Sequence, residues 1–295
     1  MSKFIKEFKD LTKKDVGIAG GKGASLGEMT RQFGGQASAK NPVPPGFVIL
    51  APAFDKFLIE SPHPKVKKKY ASKSIGEENL NVSVQAEAVQ AELDKVNYKD
   101  VNSVDRASNV IRDLIHDAPL PKDLEKEILA DFKILNSKFV AVRSSATAED
   151  SSVASWAGEL ESYLDTTEKK LLENVKKCWS SLFTPRAIFY RNEKKLLKTK
   201  VSVAVVIQKM IESEISGICF TVHPVTEDKK QMIIEAGWGL GEAIVSGSIT
   251  PDSYVVDKRD MSIIDINITK QEKMIVRKAG GGTKIVMVPK AKQEK

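Results

Sequence analysis

Hydrophobic and polar positions follow a helical period through the first two-thirds of the chain and a strand period through the last third. Phe4 to Phe8 predicts a short strand. A Gly-rich turn at Gly20–Gly23 then runs into a helix reaching Met29 and Phe33. The Pro42–Pro45 cluster forces an extended lead into an apolar strand ending at Ile49. Ala53 to Ile59 starts a helix with Phe54, Phe57 and Leu58 on one face. Residues 65–105 are polar and charged, and helical where they have a period. Two amphipathic helices follow, Ser108–His116 and Leu124–Leu135, separated by Pro119 and Pro121. Phe139–Val142 has the length and branching of a buried strand. Leu171–Tyr190 is helical with a break at Pro185, and Arg186, Tyr190 and Arg191 then fall on a solvated face. Val201–Ile211 reads as a central strand, with Ser216–Thr221 as its hairpin partner. Met232–Ala236 and Pro251–Val256 are strands, and Ile263–Ile268 with Lys273–Arg277 alternate like an antiparallel pair. Gly280–Gly282 turns into Lys284–Val288, and Pro289–Lys295 reads as a frayed basic tail. This order predicts an α+β protein of two lobes, 1–200 mixed and helical, 201–295 mainly antiparallel strands, with a ligand cleft between them.

Composition narrows the function classes. The 295 residues are 41% hydrophobic and 29% charged, ordinary for a folded protein with a large core. The net charge of +7 suits an anionic partner. Only 6% of residues are aromatic, however, and the densest basic run, Lys65–Lys69, reads as a solvated face, so a nucleic-acid surface is not expected. No apolar run approaches the length of a membrane span, and the N-terminal residues lack a signal-type apolar stretch. Cys178 and Cys219 are far apart, in no metal spacing, and both read as small buried hydrophobes, which with the absence of a leader predicts a cytoplasmic protein. His63 and His116 read as surface histidines, and no metal ligand set is assigned.

Three stretches carry candidate chemistry. In Lys138–Leu164 an apolar strand ends on Arg143, then come Ser144, Ser145, Thr147 and a run of small residues. A guanidinium, hydroxyls and close backbone suit a phosphate, while a strand with a Ser-rich surface loop fits the same residues. Around Lys22, four glycines precede a helix, which is an anion site or a plain turn; it is not the Walker pattern, because Gly23 follows the lysine. In Gly237–Glu242, glycines at alternate positions allow close approach by a ligand or a neighbouring strand.

Taken together, GGKGASLGEM (with Gly20), VPPGFVI, AVRSSATAED, WAGELESYL and EAGWGLGEAIVSG with Pro251-Asp252 resemble the nucleotide-binding N-terminal domain of the phosphoenolpyruvate synthase and pyruvate phosphate dikinase family. The resemblance covers nearly the whole of 1–295. It implies an ATP-grasp-like, two-lobed nucleotide-binding fold with ATP between the lobes. By matching motif it implies that Lys22 and Arg143 act on the phosphates during transfer. Gly158 and Ser162 would line the phosphate loop, Gln208 and Met210 the adenine linker, and Glu235, Gly239 and Gly241 the cleft wall. The family often has Phe-Ala-Gly-Gln-Gln-Glu/Asp-Thr where this chain has Trp156-Ala157-Gly158-Glu159-Leu160-Glu161-Ser162, so two amides are lost and Glu159 brings a negative charge near phosphate.

The implied function is the ATP-binding part of a dikinase converting ATP, pyruvate and water to phosphoenolpyruvate, AMP and phosphate through a phosphohistidine. A rifampin-phosphotransferase-type or pyruvate phosphate dikinase-type domain, and a non-catalytic nucleotide-binding module, are the alternatives. The resemblance further implies a chain truncated at its C-terminus: the magnesium ligands, the phosphohistidine domain and the pyruvate-binding domain would lie in a segment beyond Val288 or on a separate chain. His223 does not match the accepting histidine, so the chain is expected not to complete the reaction alone.

Overall fold

The computed structural model describes residues 2–33, 43–61, 84–147, 150–151, 154–155, 160–196 and 202–293. Gly158, Glu159, His63 and the Lys65–Lys69 run lie outside them. The chain mixes helix and strand, as an α+β protein should, in two compact units, Met1–Met210 and Ile211–Lys295.

In the first unit the elements run β1 (Ile5–Glu7), α1 (Val16–Gln32), β2 (Gly46–Ile49), α2 (Ala51–Glu60), α3 (Val84–Leu93), α4 (Val101–Asp117) and α5 (Lys122–Leu135). They continue with β3 (Val140–Ala146), the short strands β4 (Asp150–Ser151) and β5 (Ala154–Ser155), β6 (Ser162–Thr166), α6 (Glu168–Ser180), α7 (Pro185–Glu193) and β7 (Val203–Lys209). Five strands form one antiparallel sheet in the order β1-β2-β7-β3-β6. β7 is central and buried along its apolar length, as its continuous apolar, largely β-branched run predicts.

The two-residue period of the strands sorts this sheet into two faces. Val140, Val142, Val203, Val205, Ile207, Phe47 and Ile49 enter the main core with the helical layer. There Trp179 of α6 is fully buried, its ring 5.5 Å from Phe54 and 5.0 Å from Phe57 of α2. On the opposite face Val48, Ala204 and Val206 meet Ala19 of α1 together with Phe8, Leu11, Val43 and Leu50. Ala141, Arg143, Ser145 and Gln208 share that second face by register.

β3 does not end at Arg143. It runs on through Ser144 and Ser145, which are 1% and 0% exposed. Their hydroxyls find protein acceptors, so burial leaves no orphaned group: Ser144 Oγ donates to Glu161 O at 2.8 Å and Ser145 Oγ to Ala19 O at 2.9 Å. Two expected surface groups also move inward. Arg191 is 8% exposed rather than on a solvated face, and burial pushes its pKa down. His116 is half-buried with Nε2 2.7 Å from Ser180 Oγ, and its pKa is lowered by burial first and by Arg112, Lys176 and Lys177 next.

The second unit holds β8 (Ile215–Phe220), β9 (Gln231–Trp238), α8 (Glu242–Val245), β10 (Asp252–Asp257), β11 (Ile263–Asn267), β12 (Lys273–Arg277) and β13 (Thr283–Met287). The strands are close to those expected, but their partners differ. β8 pairs with β9 rather than with Val203–Lys209, β11 pairs with β10, and β12 pairs with β13 across the Gly280–Gly282 turn. Alternation marks a strand's faces but carries no mark of the neighbouring strand. Cys219 is exposed, against expectation, because β8 is an edge strand of the order β11-β10-β9-β8. The segment 289–293 is docked, not frayed. Lys292 O accepts the Trp238 indole N–H at 3.0 Å, Gln293 O accepts Gln271 N–H at 2.9 Å, and Lys292 Nζ lies 4.8 Å from the Trp238 ring centroid.

Candidate anion-binding face of the first sheet

Helix α1 is broken at Gly20, whose φ of 68° and ψ of 171° lie outside the helical region. The break lets the chain lie directly on β3. A Cβ at Gly20 would sit 2.3 Å from both the carbonyl oxygen and Oγ of Ser145, so only glycine fits. Ser145 then ties both sides of the break: its Oγ donates to Ala19 O at 2.9 Å and accepts Gly23 N–H at 3.2 Å. Lys22 therefore stands, half-buried, on the first turn after a break clamped to the sheet. A glycine turn opening a helix leaves backbone N–H groups and a positive dipole end where an anion can approach.

Arg143 projects from the same face as Ser145, being two residues away on β3. Its Nη1 donates to Gln208 Oε1 at 3.4 Å, and Gln208 Nε2 donates to Pro44 O at 3.2 Å. Gln208 is 8% exposed, held by this chain from both ends of its amide. Ser162, on the edge strand β6, stands directly opposite Arg143. The Cys178 thiol is pushed up to about 12, first by burial and also by the Glu161 charge, against the opposing effects of the Ser144 hydrogen bond and the Lys22 charge. Of the residues expected from sequence, Arg143, Ser162 and Gln208 thus share one face of one sheet, the face on which α1, carrying Lys22, packs.

The rest are placed differently. Met210 follows β7, and its N–H donates to Phe139 O at 3.1 Å. In the second unit Glu235 is half-buried on β9, paired across to Ser253 and Ile218. Gly239, at φ 83°, is approached by a strand: a Cβ there would be 2.4 Å from Ile275 O. Its N–H donates to Glu214 O at 2.7 Å, and its carbonyl accepts from Ser216 Oγ at 2.7 Å. Gly241 lies beside Ser216.

Sequence reasoning read Ser145 as a candidate phosphate hydroxyl rather than as the tie across the α1 break, and it assigned no role to Glu161 or Arg112. Ser145 was legible as the next same-face position after Arg143. Arg112 had no signal, since it meets Glu161 across 49 positions of chain. Among the described residues no group of three or more His, Cys, Asp or Glu side chains is placed to hold a metal ion by itself. No described helix is long and apolar enough to cross a membrane.

These features define an α+β protein whose first sheet carries a lysine, an arginine, a hydroxyl and a broken-helix glycine turn on one face, a set suited to a multiply charged anion. Residues 16–295 match the family described as pyruvate phosphate dikinase, AMP/ATP-binding domain, and the chain belongs to that family. It is 40% identical over 300 residues to a probable phosphoenolpyruvate synthase of Methanocaldococcus jannaschii, covering 99% of this chain and 23% of that protein. It is 41% identical over 307 residues to the probable phosphoenolpyruvate synthase of Pyrococcus horikoshii, covering 97% and 36%. The phosphoenolpyruvate synthase of Pyrococcus furiosus is 40% identical over 306 residues, covering 97% and 36%. The chain thus spans between about a quarter and just over a third of these relatives' length.

Proposed function

We propose that this chain binds ATP and acts as the nucleotide-binding part of a phosphoenolpyruvate-synthase-like dikinase. In that reaction ATP, pyruvate and water yield phosphoenolpyruvate, AMP and phosphate by way of a phosphohistidine. The observation that supports the reading is that Arg143 and Ser162 stand opposite each other on the sheet face that α1, which carries Lys22, packs against at the Gly20 break, within a family match that covers residues 16–295. Phosphoryl transfer asks mainly for positioning and charge neutralisation, which two cations and close backbone can supply. In this reading the fold is ATP-grasp-like, Lys22 and Arg143 hold the phosphates, Ser162 adds a hydroxyl donor, and Gln208 orients the Arg143 guanidinium. The Met210 carbonyl is the adenine contact, Gly158 belongs to the phosphate loop, and Glu235, Gly239 and Gly241 are further candidates in the second unit. Magnesium, the phosphohistidine domain and the pyruvate site come from elsewhere in the longer protein or from another chain.

Calorimetric titration with Mg-ATP tests this. Binding in the micromolar to millimolar range is expected, weakened about tenfold or more by Lys22→Ala and by Arg143→Ala, since each removes a charge-assisted contact of roughly 1.5–3 kcal/mol. Absence of binding, or unchanged affinity in both variants, would sink the assignment. Mixing the chain with a separate phosphohistidine domain and γ- or β-labelled ATP checks the transfer itself: a binding-only module leaves the histidine unlabelled.

A further inference from the structure

β6 is an edge strand that pairs with β3 through only two regular positions, Val142 opposite Tyr163 and Arg143 opposite Ser162, before the register shifts towards Val140. A slip of one residue would turn Ser162 away from Arg143 and bring Tyr163 onto that face. So short a ladder specifies its register weakly, and other contacts must fix it. They converge on Glu161, the residue just before β6. Its carbonyl accepts the Ser144 N–H at 3.2 Å and the Ser144 hydroxyl at 2.8 Å. Its carboxylate takes Arg112 Nη2 of α4 at 3.3 Å on one oxygen and the Tyr163 hydroxyl on the other. Main chain and side chain of one residue are thus tied to β3, to the helical layer and to β6 itself. The Arg112 and Glu161 side chains are 27% and 34% exposed, so the pair is partly shielded from solvent.

We infer that Glu161 is a positioning residue for nucleotide binding, which through its Arg112 and Tyr163 contacts holds β6 in the register that sets Ser162 against Arg143. The inference rests on the ATP-binding reading above. Glu161 touches no substrate: its carboxylate lies on the helix side of the sheet with Tyr163, and Ser162 between them faces the other way. Its effect belongs to the phosphates, because only the Arg143 end of the site depends on the β6 register.

The test compares ATP with adenosine, which lacks the phosphates, on the 295-residue chain and its variants. Glu161→Gln keeps the shape and removes the charge; Arg112→Gln removes the partner. Each is expected to weaken ATP about tenfold while changing adenosine affinity less than about twofold, and the double variant to be no weaker than either single one. Tyr163→Phe, a milder change should the others fold poorly, is expected to weaken ATP about threefold with the same sparing of adenosine. Wild-type ATP affinity in these variants overturns the inference and leaves the ATP-binding reading standing. Equal loss of ATP and adenosine, which general damage to the fold produces, also overturns it. A wild-type chain that binds no ATP overturns the reading on which it rests.

Discussion

Gly20 and Ser145 set the local geometry around Lys22, and the two can be separated from ordinary glycine effects. Gly20→Ala places a Cβ 2.3 Å from the Ser145 backbone at a φ of 68°, so both strain and overlap oppose it. The expected cost is about 3 kcal/mol or more in urea unfolding. Gly17, also in α1, has nothing within 4 Å of where a Cβ would stand. Gly17→Ala is therefore expected to be neutral or to stabilise by up to about 1 kcal/mol, through the unfolded chain. Similar effects at the two sites would contradict the clamped break. The sequence showed that glycines cluster here but not which one is indispensable, because that depends on a strand more than a hundred positions away: Ser145 meets Ala19 across 126 residues.

At the scale of elements, the second unit relies on polar ties as much as on apolar packing. Gln271 is 4% exposed; its Oε1 accepts the Trp238 N–H at 3.0 Å and its Nε2 donates to Ala236 O at 3.3 Å. It thereby completes the end of β9, next to the point where Lys292 O takes the Trp238 indole. Gln271→Leu preserves bulk but leaves a partly buried N–H without its acceptor, and is expected to cost about 1–3 kcal/mol with a shifted tryptophan emission. A loss under about 0.5 kcal/mol would mean that these ties are not structural. Strand positions in this unit were legible from alternation. The pairing of β8 with β9, and the docking of 289–293, were not, since neither Gln271 nor Lys292 interrupts any period.

For the whole molecule, burial is unevenly shared. The first unit encloses the main apolar cluster and the smaller one under α1, whereas the cluster at α8 in the second is Leu240, Ala243 and Ile275. β7 is buried at Val203–Gln208, while every residue of β11 is exposed, Ile263 and Ile266 at 54% and 53%. Local opening follows such contrasts. Amide exchange is expected to be slower in β7 than in β11 by about 100-fold or more. Comparable protection in the two strands would show that stability is not distributed as burial is.

By itself the sequence determined most element types, the α+β class, the central position of β7, and the places of Lys22, Arg143 and the glycines. Those follow from period, branching and residue chemistry, which are local properties. Tertiary structure alone decided strand partners, the burial of Ser144, Ser145 and Arg191, the Ser145 ties across the α1 break, and the meeting of Arg112 with Glu161. Each of these joins residues distant along the chain through one or two directional contacts. Such contacts leave no periodic trace, and they decide which face of a short edge strand carries Ser162.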